Sequence, residues 1–101
     1  MRVQSYTINE IKALITPIAR EYGVKRLTLF GSYARGEAKP NSDIDFHLGD
    51  AGGSWGYFKL CCFRQDLEAT LGVRVDVLTT GSMDREVLDA VRKDEVLIFE
   101  Q

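Results

Sequence analysis

Two short segments of the chain combine residue types that can do chemistry. The first is the pair Gly31 and Ser32, which follows an apolar run and is itself followed by Arg35. The second is the pair Asp43 and Asp45 at the start of the next apolar run. The first segment suits a polyphosphate and the second suits a divalent cation. Their order along the chain predicts a site for a polyphosphate together with its divalent metal.

The Gly-Ser segment has the features of a phosphate-binding turn. Gly31 has no Cβ, so the backbone can turn sharply and a phosphate can approach it closely. If a short helix runs from Ser32 to about Glu37, its free N–H groups and its dipole face an anion above the turn. Arg35, one helical turn on, could contact phosphate or pair with a carboxylate. Taken alone, the segment also fits an ordinary strand-to-helix turn with a serine N-cap.

The two aspartates have the features of a metal site. Asp43 and Asp45 stand two residues apart on a predicted strand, 43–48, so their side chains share a face. Neighbouring carboxylates repel unless a cation lies between them, and ligation by oxygen alone favours Mg²⁺ or Mn²⁺ over zinc. Asp76, on another predicted strand, 73–78, would complete a three-carboxylate cluster if the two strands were neighbours. Solvated acids on exposed strands are the alternative on local grounds.

Length and composition limit the classes of protein that the chain can represent. Its 101 residues predict a single domain, 1–101, and 45% hydrophobic with 28% charged residues is ordinary for a globular protein. A net charge of −2 argues against general nucleic-acid binding. No apolar run reaches membrane-spanning length and no secretory leader is visible, so we expect a cytoplasmic protein without membrane contact. The adjacent Cys61 and Cys62 match neither redox nor zinc spacing and are expected as buried thiols on a helix.

Hydrophobic periodicity and turn residues predict the order α-β-α-β-α-β-α-β. This order indicates an α/β (α+β) fold, a small mixed sheet with helices packed on one face. The first helix is expected to begin in a capping box at Thr7 and Glu10, to be kinked or divided at Pro17, and to end at Gly23. Its predicted core residues are Ile8, Ile11, Leu14, Ile15, Ile18 and Tyr22.

Later helices are predicted at 55–71, ended by Gly72, and from a Ser82 cap to Arg92. The third helix should bury Phe63, Leu67 and Leu71, and the last should carry Val87, Leu88 and Val91. The predicted strands are 27–30, 43–48, 73–78 and 95–100, with turns or loops at 40–42 and 49–54.

Taken together, these motifs resemble those of the nucleotidyltransferase superfamily related to DNA polymerase β. The wording Leu-Phe-Gly-Ser-x-Ala-Arg-Gly and the short chain are most similar to minimal nucleotidyltransferases, the MNT domain, including MntA-type antitoxins. The resemblance runs from the first helix to the end of the chain. It rests on the combination Gly31-Ser32-x-x-Arg35-Gly36, Ser42-Asp43-Ile44-Asp45 and Asp76.

The resemblance implies a role for each motif residue. Gly31 and Ser32 would hold the β- and γ-phosphates of a nucleoside triphosphate such as ATP, and Arg35 would contact phosphate or stabilise the loop. Asp43 and Asp45 would bind two Mg²⁺ ions, or Mn²⁺. Asp76 would join one ion and assist deprotonation of the attacking hydroxyl.

The resemblance also implies a partner. Larger relatives carry a further helical domain that binds the acceptor, and 101 residues leave no space for one, so a separate chain is expected to bring the acceptor. In the MNT family that chain is often a HEPN-domain toxin, which implies AMP transfer from ATP to a hydroxyl on the toxin. The alternative is a catalytically silent antitoxin that neutralises its partner by complex formation. A P-loop or dinucleotide-binding protein is excluded because neither motif is present.

Two features are left open by the sequence. His47 stands where relatives usually have an aliphatic residue, and strand alternation places it on the face of Asp43 and Asp45. It would support a site residue, contact the nucleotide or simply be a polar residue at a strand end, and we expect the last. Trp55, Tyr57 and Phe58 follow the predicted loop 49–54, where they would either pack at the edge of the core or form an exposed patch for a nucleobase or a partner.

Overall fold

Helices and strands alternate along the chain in the predicted order. The computed structural model describes residues 6–39, 42–49 and 55–101. Parts of the predicted turn 40–42 and loop 49–54 therefore lie outside the described residues. The elements are α1 Ile8–Glu21, β1 Arg26–Phe30, α2 Ser32–Arg35, β2 Ile44–Gly49, α3 Tyr57–Leu71, β3 Val75–Thr79, α4 Arg85–Asp94 and β4 Val96–Glu100, with a 3₁₀ turn, Thr80–Ser82, between β3 and α4.

The first helix begins in the predicted capping box. Thr7 Oγ1 accepts a hydrogen bond from the Glu10 N–H at 3.1 Å, and Glu10 Oε1 accepts one from the Thr7 N–H at 2.8 Å. Of the two outcomes predicted at Pro17, a kink or a division of the helix, division does not occur, because α1 continues through the proline. Ile15 and Ala19, one on each side of Pro17, are fully buried. Their packing outweighs the hydrogen bond that the proline removes.

The buried stripe of α1 is narrower than the apolar spacing predicts. Ile11 and Ile15 are fully buried, whereas Leu14 is 39% exposed. Leu14 lies beside Tyr6 in a shallow groove along the outer side of α1. The partly buried Ile8, Ile18 and Tyr22 pack against the core, as expected.

The four strands form one mixed sheet in the order β3-β2-β1-β4. β1 is antiparallel to both β2 and β4, whereas β2 and β3 are parallel. The α+β fold with a small mixed sheet is therefore confirmed. The consequence for function is that β3, which carries Asp76, lies directly beside β2, which carries Asp45.

One face of the sheet packs against α1 and α3 to form the hydrophobic core. The predicted stripe of α3 is confirmed, since Phe63, Leu67 and Leu71 are all buried. The helix begins at Tyr57, two residues later than predicted, and ends at Gly72 in the left-handed conformation. The sheet contributes Leu27, Leu29, Ile44, Phe46, Leu48, Val75 and Ile98 to this core.

The opposite face is covered in part by the end of α4. Thr28 and His47 alternate with the core residues of β1 and β2, and both contact Glu95, the residue that follows α4. Val91 of α4 is buried, as expected of an apolar position on this helix. The predicted Ser82 cap is wrong: Asp84 caps α4 by accepting from the Val87 N–H at 3.0 Å.

The two cysteines lie on α3, as predicted, but they are half-buried free thiols instead of fully buried ones. They occupy positions 61 and 62, beside the buried stripe that begins at Phe63, so the helix places them at its edge. None of the helices within residues 6–39, 42–49 and 55–101 is both long and apolar enough to cross a lipid bilayer.

Candidate active site

Two of the predicted catalytic carboxylates lie side by side in the sheet. Asp45 on β2 and Asp76 on β3 are partners in the parallel register. Their neighbours Ile44 and Val75 point to the opposite face and are fully buried, so both aspartates face away from the core. Asp43 immediately precedes β2 instead of lying within it, and its charge acts on Asp45. The neighbouring strands that the sequence analysis required for a three-acid cluster are therefore present.

The Gly-Ser turn closes directly onto this pair. Phe30, the last residue of β1, is the register partner of Asp45, so the next residue, Gly31, lies over the Asp45 side chain. Gly31 has φ 79° and ψ −154°, a conformation that is essentially restricted to glycine. A Cβ at Gly31 would lie 2.4 Å from Asp45 Oδ2. Glycine is thus required for both the backbone conformation and the close approach of the carboxylate.

Asp45 is the carboxylate with the most unusual electrostatic environment. The pKa of Asp45 is raised from 3.8 to about 6, chiefly by burial and then by the charges of Asp76 and Asp43, against an opposing effect of Arg35. A hydrogen bond to Asp76 adds to the same shift. The pKa is raised because negative charges are gathered here with incomplete solvation, which is also the condition that a bound cation relieves.

The donor set fits a hard divalent cation. Asp43, Asp45 and Asp76 offer only carboxylate oxygens, and Mg²⁺ and Mn²⁺ prefer such ligands. Within the described ranges, however, no group of three His, Cys, Asp or Glu side chains has a geometry that could already hold a metal ion, so the three-carboxylate metal site stays a prediction. A bound cation would offset the negative charges of Asp76 and Asp43 that help to raise the pKa of Asp45.

The helix that follows the phosphate turn is shorter than predicted. α2 spans Ser32–Arg35 and ends at Gly36, instead of reaching Glu37. Gly31 is the N-cap and makes no side-chain capping bond, so Ser32 is the first residue of the helix. The alternative interpretation, a serine N-cap, is therefore wrong. Ser32 is half-buried beside the turn, where its hydroxyl and N–H can face a phosphate.

Arg35 pairs with carboxylates on both sides. Its Nε donates to Glu37 Oε1 at 2.9 Å, and its Nη1 donates to Asp94 Oδ2 at 3.0 Å. Of the roles considered for Arg35, the structure shows carboxylate pairing, whereas contact with phosphate stays a prediction. Its charge opposes the rise in the pKa of Asp45, which places the guanidinium within electrostatic reach of the carboxylate pair.

His47 differs from the expectation of a polar strand end. Its side chain shares the Asp45 face of β2 but is only 6% exposed. Nδ1 hydrogen-bonds to Glu95, and Nε2 lies 2.7 Å from Thr80 Oγ1. Burial alone would raise the pKa of Glu95, but hydrogen bonds from Thr28 and His47 and the charges of His47 and Arg26 lower it. Strand alternation predicts the face of His47, but no local signal identifies Glu95, 48 residues away, as its partner.

The aromatic segment lies at the other end of β2 from the carboxylates. Tyr57 and Phe58 are 83% and 81% exposed, whereas Trp55 packs against Tyr22 and Phe63. Both predicted outcomes therefore occur within one segment. From Asp45 to Gly49, the last residue of β2, the strand extends about 13 Å, so the aromatic segment lies at least this far along the strand from the carboxylates.

The raised pKa of Asp45 predicts an unusual pH dependence of stability. The folded state favours the neutral acid, so this group stabilises the fold at low pH, and the stabilisation is lost as pH rises through about 6. Without metal, Asp45→Asn should raise the free energy of unfolding at pH 7. The shift in the pKa of Asp45 corresponds to about 3 kcal/mol of unfolding free energy for a group shielded from solvent. Solvent screening reduces the expected effect to about 1 kcal/mol for the half-buried Asp45.

Urea unfolding in EDTA at pH 7 and at pH 3.5 measures this effect. The difference between wild type and Asp45→Asn should disappear at pH 3.5, where aspartate is protonated in both the folded and unfolded states. A variant that is equally or less stable than wild type at pH 7 would contradict the electrostatic account of this site.

Two proteins named as protein adenylyltransferases are similar in sequence to this chain. A protein of Methanocaldococcus jannaschii that is named as a protein adenylyltransferase is 44% identical over 89 residues, covering 88% of this chain and 95% of the relative. The protein adenylyltransferase MntA of Thermococcus cleftensis is 34% identical over 96 residues, covering 91% and 96% of the two chains.

The fold is also shared with a solved structure. A chain from the complex of a tri-AMPylated HEPN toxin with an MNT antitoxin from Shewanella oneidensis superposes with a TM-score of 0.73 at 18% identity, covering 94% of this chain and 74% of that one. The sequence profile of the nucleotidyltransferase domain matches residues 11–98, which include the phosphate turn and all three carboxylates. The chain therefore belongs to the nucleotidyltransferase domain family.

Proposed function

We propose that this nucleotidyltransferase uses Mg²⁺ to transfer AMP from ATP to a hydroxyl on a partner protein. The observation that carries the proposal is the register of β2 and β3, which places Asp45 beside Asp76 under the turn at Gly31. A carboxylate pair next to a phosphate-binding turn suits a reaction in which a nucleotide phosphorus is attacked and pyrophosphate leaves. The names of the two relatives, both protein adenylyltransferases, support AMP as the transferred group.

The reaction is an in-line displacement at the α-phosphorus of ATP. The acceptor oxygen forms a new bond to phosphorus while the bond to the β-phosphate oxygen breaks, and pyrophosphate departs with that oxygen. The acceptor proton passes to a nearby base. Asp76 suits this role because it is exposed on the edge strand β3. Asp45 is more enclosed and lies between Asp76 and the phosphate turn. This position suits a metal ligand that serves both the acceptor side and the triphosphate side of the reaction.

The chain's own residues would hold the triphosphate from the turn. The backbone of Gly31 can approach a phosphate closely because no Cβ is present, and Ser32 adds its N–H and its hydroxyl. Arg35 is held beside this turn by Glu37 and Asp94. Its contacts within the described residues use Nε and one Nη1 donor, so the guanidinium has further N–H groups to offer the phosphates.

The carboxylates would hold the metal. Asp43, Asp45 and Asp76 supply the oxygen ligands for two Mg²⁺ ions, with Mn²⁺ as a substitute. When bound, these ions neutralise charge on the attacking and leaving oxygens.

The acceptor is proposed to be a tyrosine of a HEPN-type toxin. The S. oneidensis complex, whose toxin is AMPylated and bound to an MNT antitoxin, shares the fold of this chain and suggests the pairing. Because Asp76 lies on an edge strand, an extended segment of a partner can reach it from the side of the sheet. The exposed Tyr57 and Phe58 lie at the far end of β2, so they do not contribute to the reacting centre itself.

A first test identifies the product. The chain is mixed with the product of its neighbouring gene, ATP and Mg²⁺, and the intact masses are measured. We expect the partner to gain one or more AMP groups with wild type and none with Asp43→Asn or Asp45→Asn, because each change removes a charged metal ligand. Partner inhibition that survives these changes without a gain in mass would instead indicate neutralisation by complex formation. Full transfer by both variants would overturn the assignment of the carboxylates.

A second test measures the requirement for glycine at the turn. Gly31→Ala should reduce transfer at least a hundredfold, because it introduces backbone strain and pushes Asp45 out of place. Gly72→Ala is the control for a positive φ away from the site: Gly72 has φ 71° and ψ 15°, in the ordinary left-handed region, and a Cβ there meets nothing within 4 Å. Transfer by Gly31→Ala that matches transfer by Gly72→Ala, after correction for folded fraction, would contradict the requirement for glycine at the turn.

A third test concerns nucleotide binding by the chain alone. Calorimetry should detect weak ATP binding that requires Mg²⁺ or Mn²⁺, because the carboxylates repel the triphosphate until a cation lies between them. The same titration in EDTA should show no binding. Tight binding of ATP without metal would contradict a site in which the carboxylates and phosphates share a cation.

A further inference from the structure

The segment between β3 and β4, residues 80–95, contains α4. His47 of β2 contacts the first and the last residue of this segment. The first attachment is Thr80, which directly follows β3 and whose Oγ1 lies 2.7 Å from His47 Nε2. The second is Glu95, which directly follows α4 and hydrogen-bonds to His47 Nδ1. This segment leads from one edge strand of the sheet to the other, and α4 reaches the Asp45 face at its C-terminal end.

The second attachment is strong because one carboxylate oxygen serves two donors. Thr28 Oγ1 donates to Glu95 Oε1 at 2.7 Å, and His47 Nδ1 contacts the same oxygen. A carboxylate accepts hydrogen bonds only, so His47 must donate from Nδ1. Thr28 is 1% exposed and His47 6%, so loss of Glu95 would leave two buried polar groups without their acceptor. Glu95 therefore fixes the end of α4 against β1 and β2.

The residue before this anchor reaches the phosphate turn. Asp94, the last residue of α4, accepts a hydrogen bond from Arg35 Nη1 at 3.0 Å. Asp94 and Glu95 are consecutive, so the position of the Asp94 backbone follows from the anchor at Glu95. The Arg35 side chain is otherwise long and 44% exposed, and it would adopt many rotamers if it were held by Glu37 alone.

We propose that Glu95 and His47 are positioning residues that hold Arg35, through Asp94, in place for the triphosphate of the substrate. This inference rests on the proposed function, because it assigns Arg35 to the nucleotide phosphates. Neither Glu95 nor His47 touches the substrate. Their effect is transmitted by the end of α4, so it should fall on the outer phosphates and spare the nucleoside.

The test compares ATP with AMP, which lacks the outer phosphates. In the Mg²⁺-containing protein, Glu95→Ala should weaken ATP binding about tenfold and leave AMP binding unchanged, as expected for loss of one charge-assisted contact. Glu95→Gln should retain most of the ATP affinity, since its amide oxygen still accepts from Thr28 and His47. Asp94→Ala should reproduce the ATP-selective loss without disturbing the buried cluster. Glu86→Ala, at an exposed position in the first turn of α4, is the matched control and should behave as wild type.

Two results would overturn the inference. Equal losses of affinity for ATP and for AMP in Glu95→Ala would indicate a merely structural role. Unchanged ATP binding in both Glu95→Ala and Asp94→Ala would show that this connection does not act on the triphosphate. A second measurement needs no nucleotide. The NMR signals of the Arg35 Nη1–H protons, which donate to Asp94, should shift and exchange faster with water in Glu95→Ala, but not in Glu95→Gln or Glu86→Ala. An unchanged Arg35 signal in Glu95→Ala disproves the coupling even if the chain binds no ATP, whereas absence of ATP binding by wild type disproves the proposed function instead.

Discussion

The structure depends on keeping two like-charged carboxylates side by side. Burial of Asp45, together with repulsion from Asp76, raises the pKa of Asp45, so the fold holds the two carboxylates together at a cost. The opposing stabilisation comes from the same strands, because Ile44 and Val75, the register pair next to the two aspartates, are completely buried. Strand alternation thus couples the repulsion on one face to hydrophobic burial on the other, and neither strand can slip by one residue without losing both.

The same sheet explains why Gly31 has to be a glycine. β1 is paired with β2 so that Phe30 lies opposite Asp45, and the chain must turn immediately afterwards without touching the carboxylate. The positive φ of Gly31 provides the turn, and its missing Cβ provides the space. A phosphate bound at this turn would therefore lie within a few ångströms of the Asp45 carboxylate. Such proximity of two anions is favourable only with a cation between them, which links the phosphate turn and the metal ligands into one site.

Sequence patterns predicted the features of this site that are local. The order of the elements, the mixed sheet, the capping box and the buried stripe of α3 follow from short-range periodicity and turn residues. The motif also identifies Gly31 and the three aspartates as candidate site residues, and the fold brings Gly31, Asp45 and Asp76 together. What the sequence did not reveal depends on distant partners: the buried environment of His47 requires Glu95, and Arg35 is held by Asp94. The cap of α4 was misplaced because Ser82 and Asp84 are both good N-cap residues, and only the 3₁₀ turn distinguishes them.

The opposite face of the sheet shows how this small fold combines a charged site with a stable structure. Asp45 and Asp76 lie near the turn, where they remain accessible, whereas Thr28 of β1, His47 of β2 and Glu95 satisfy one another in a buried cluster further from the turn. The buried cluster closes the middle of the sheet with polar groups that already have partners, so it does not compete for the cation. The accessible end, by contrast, gathers carboxylates. Among the groups that act on the pKa of Asp45, Arg35 is the only positive charge. The unbalanced negative charge is thereby confined to the one end of the sheet where the backbone of Gly31 leaves space for a phosphate.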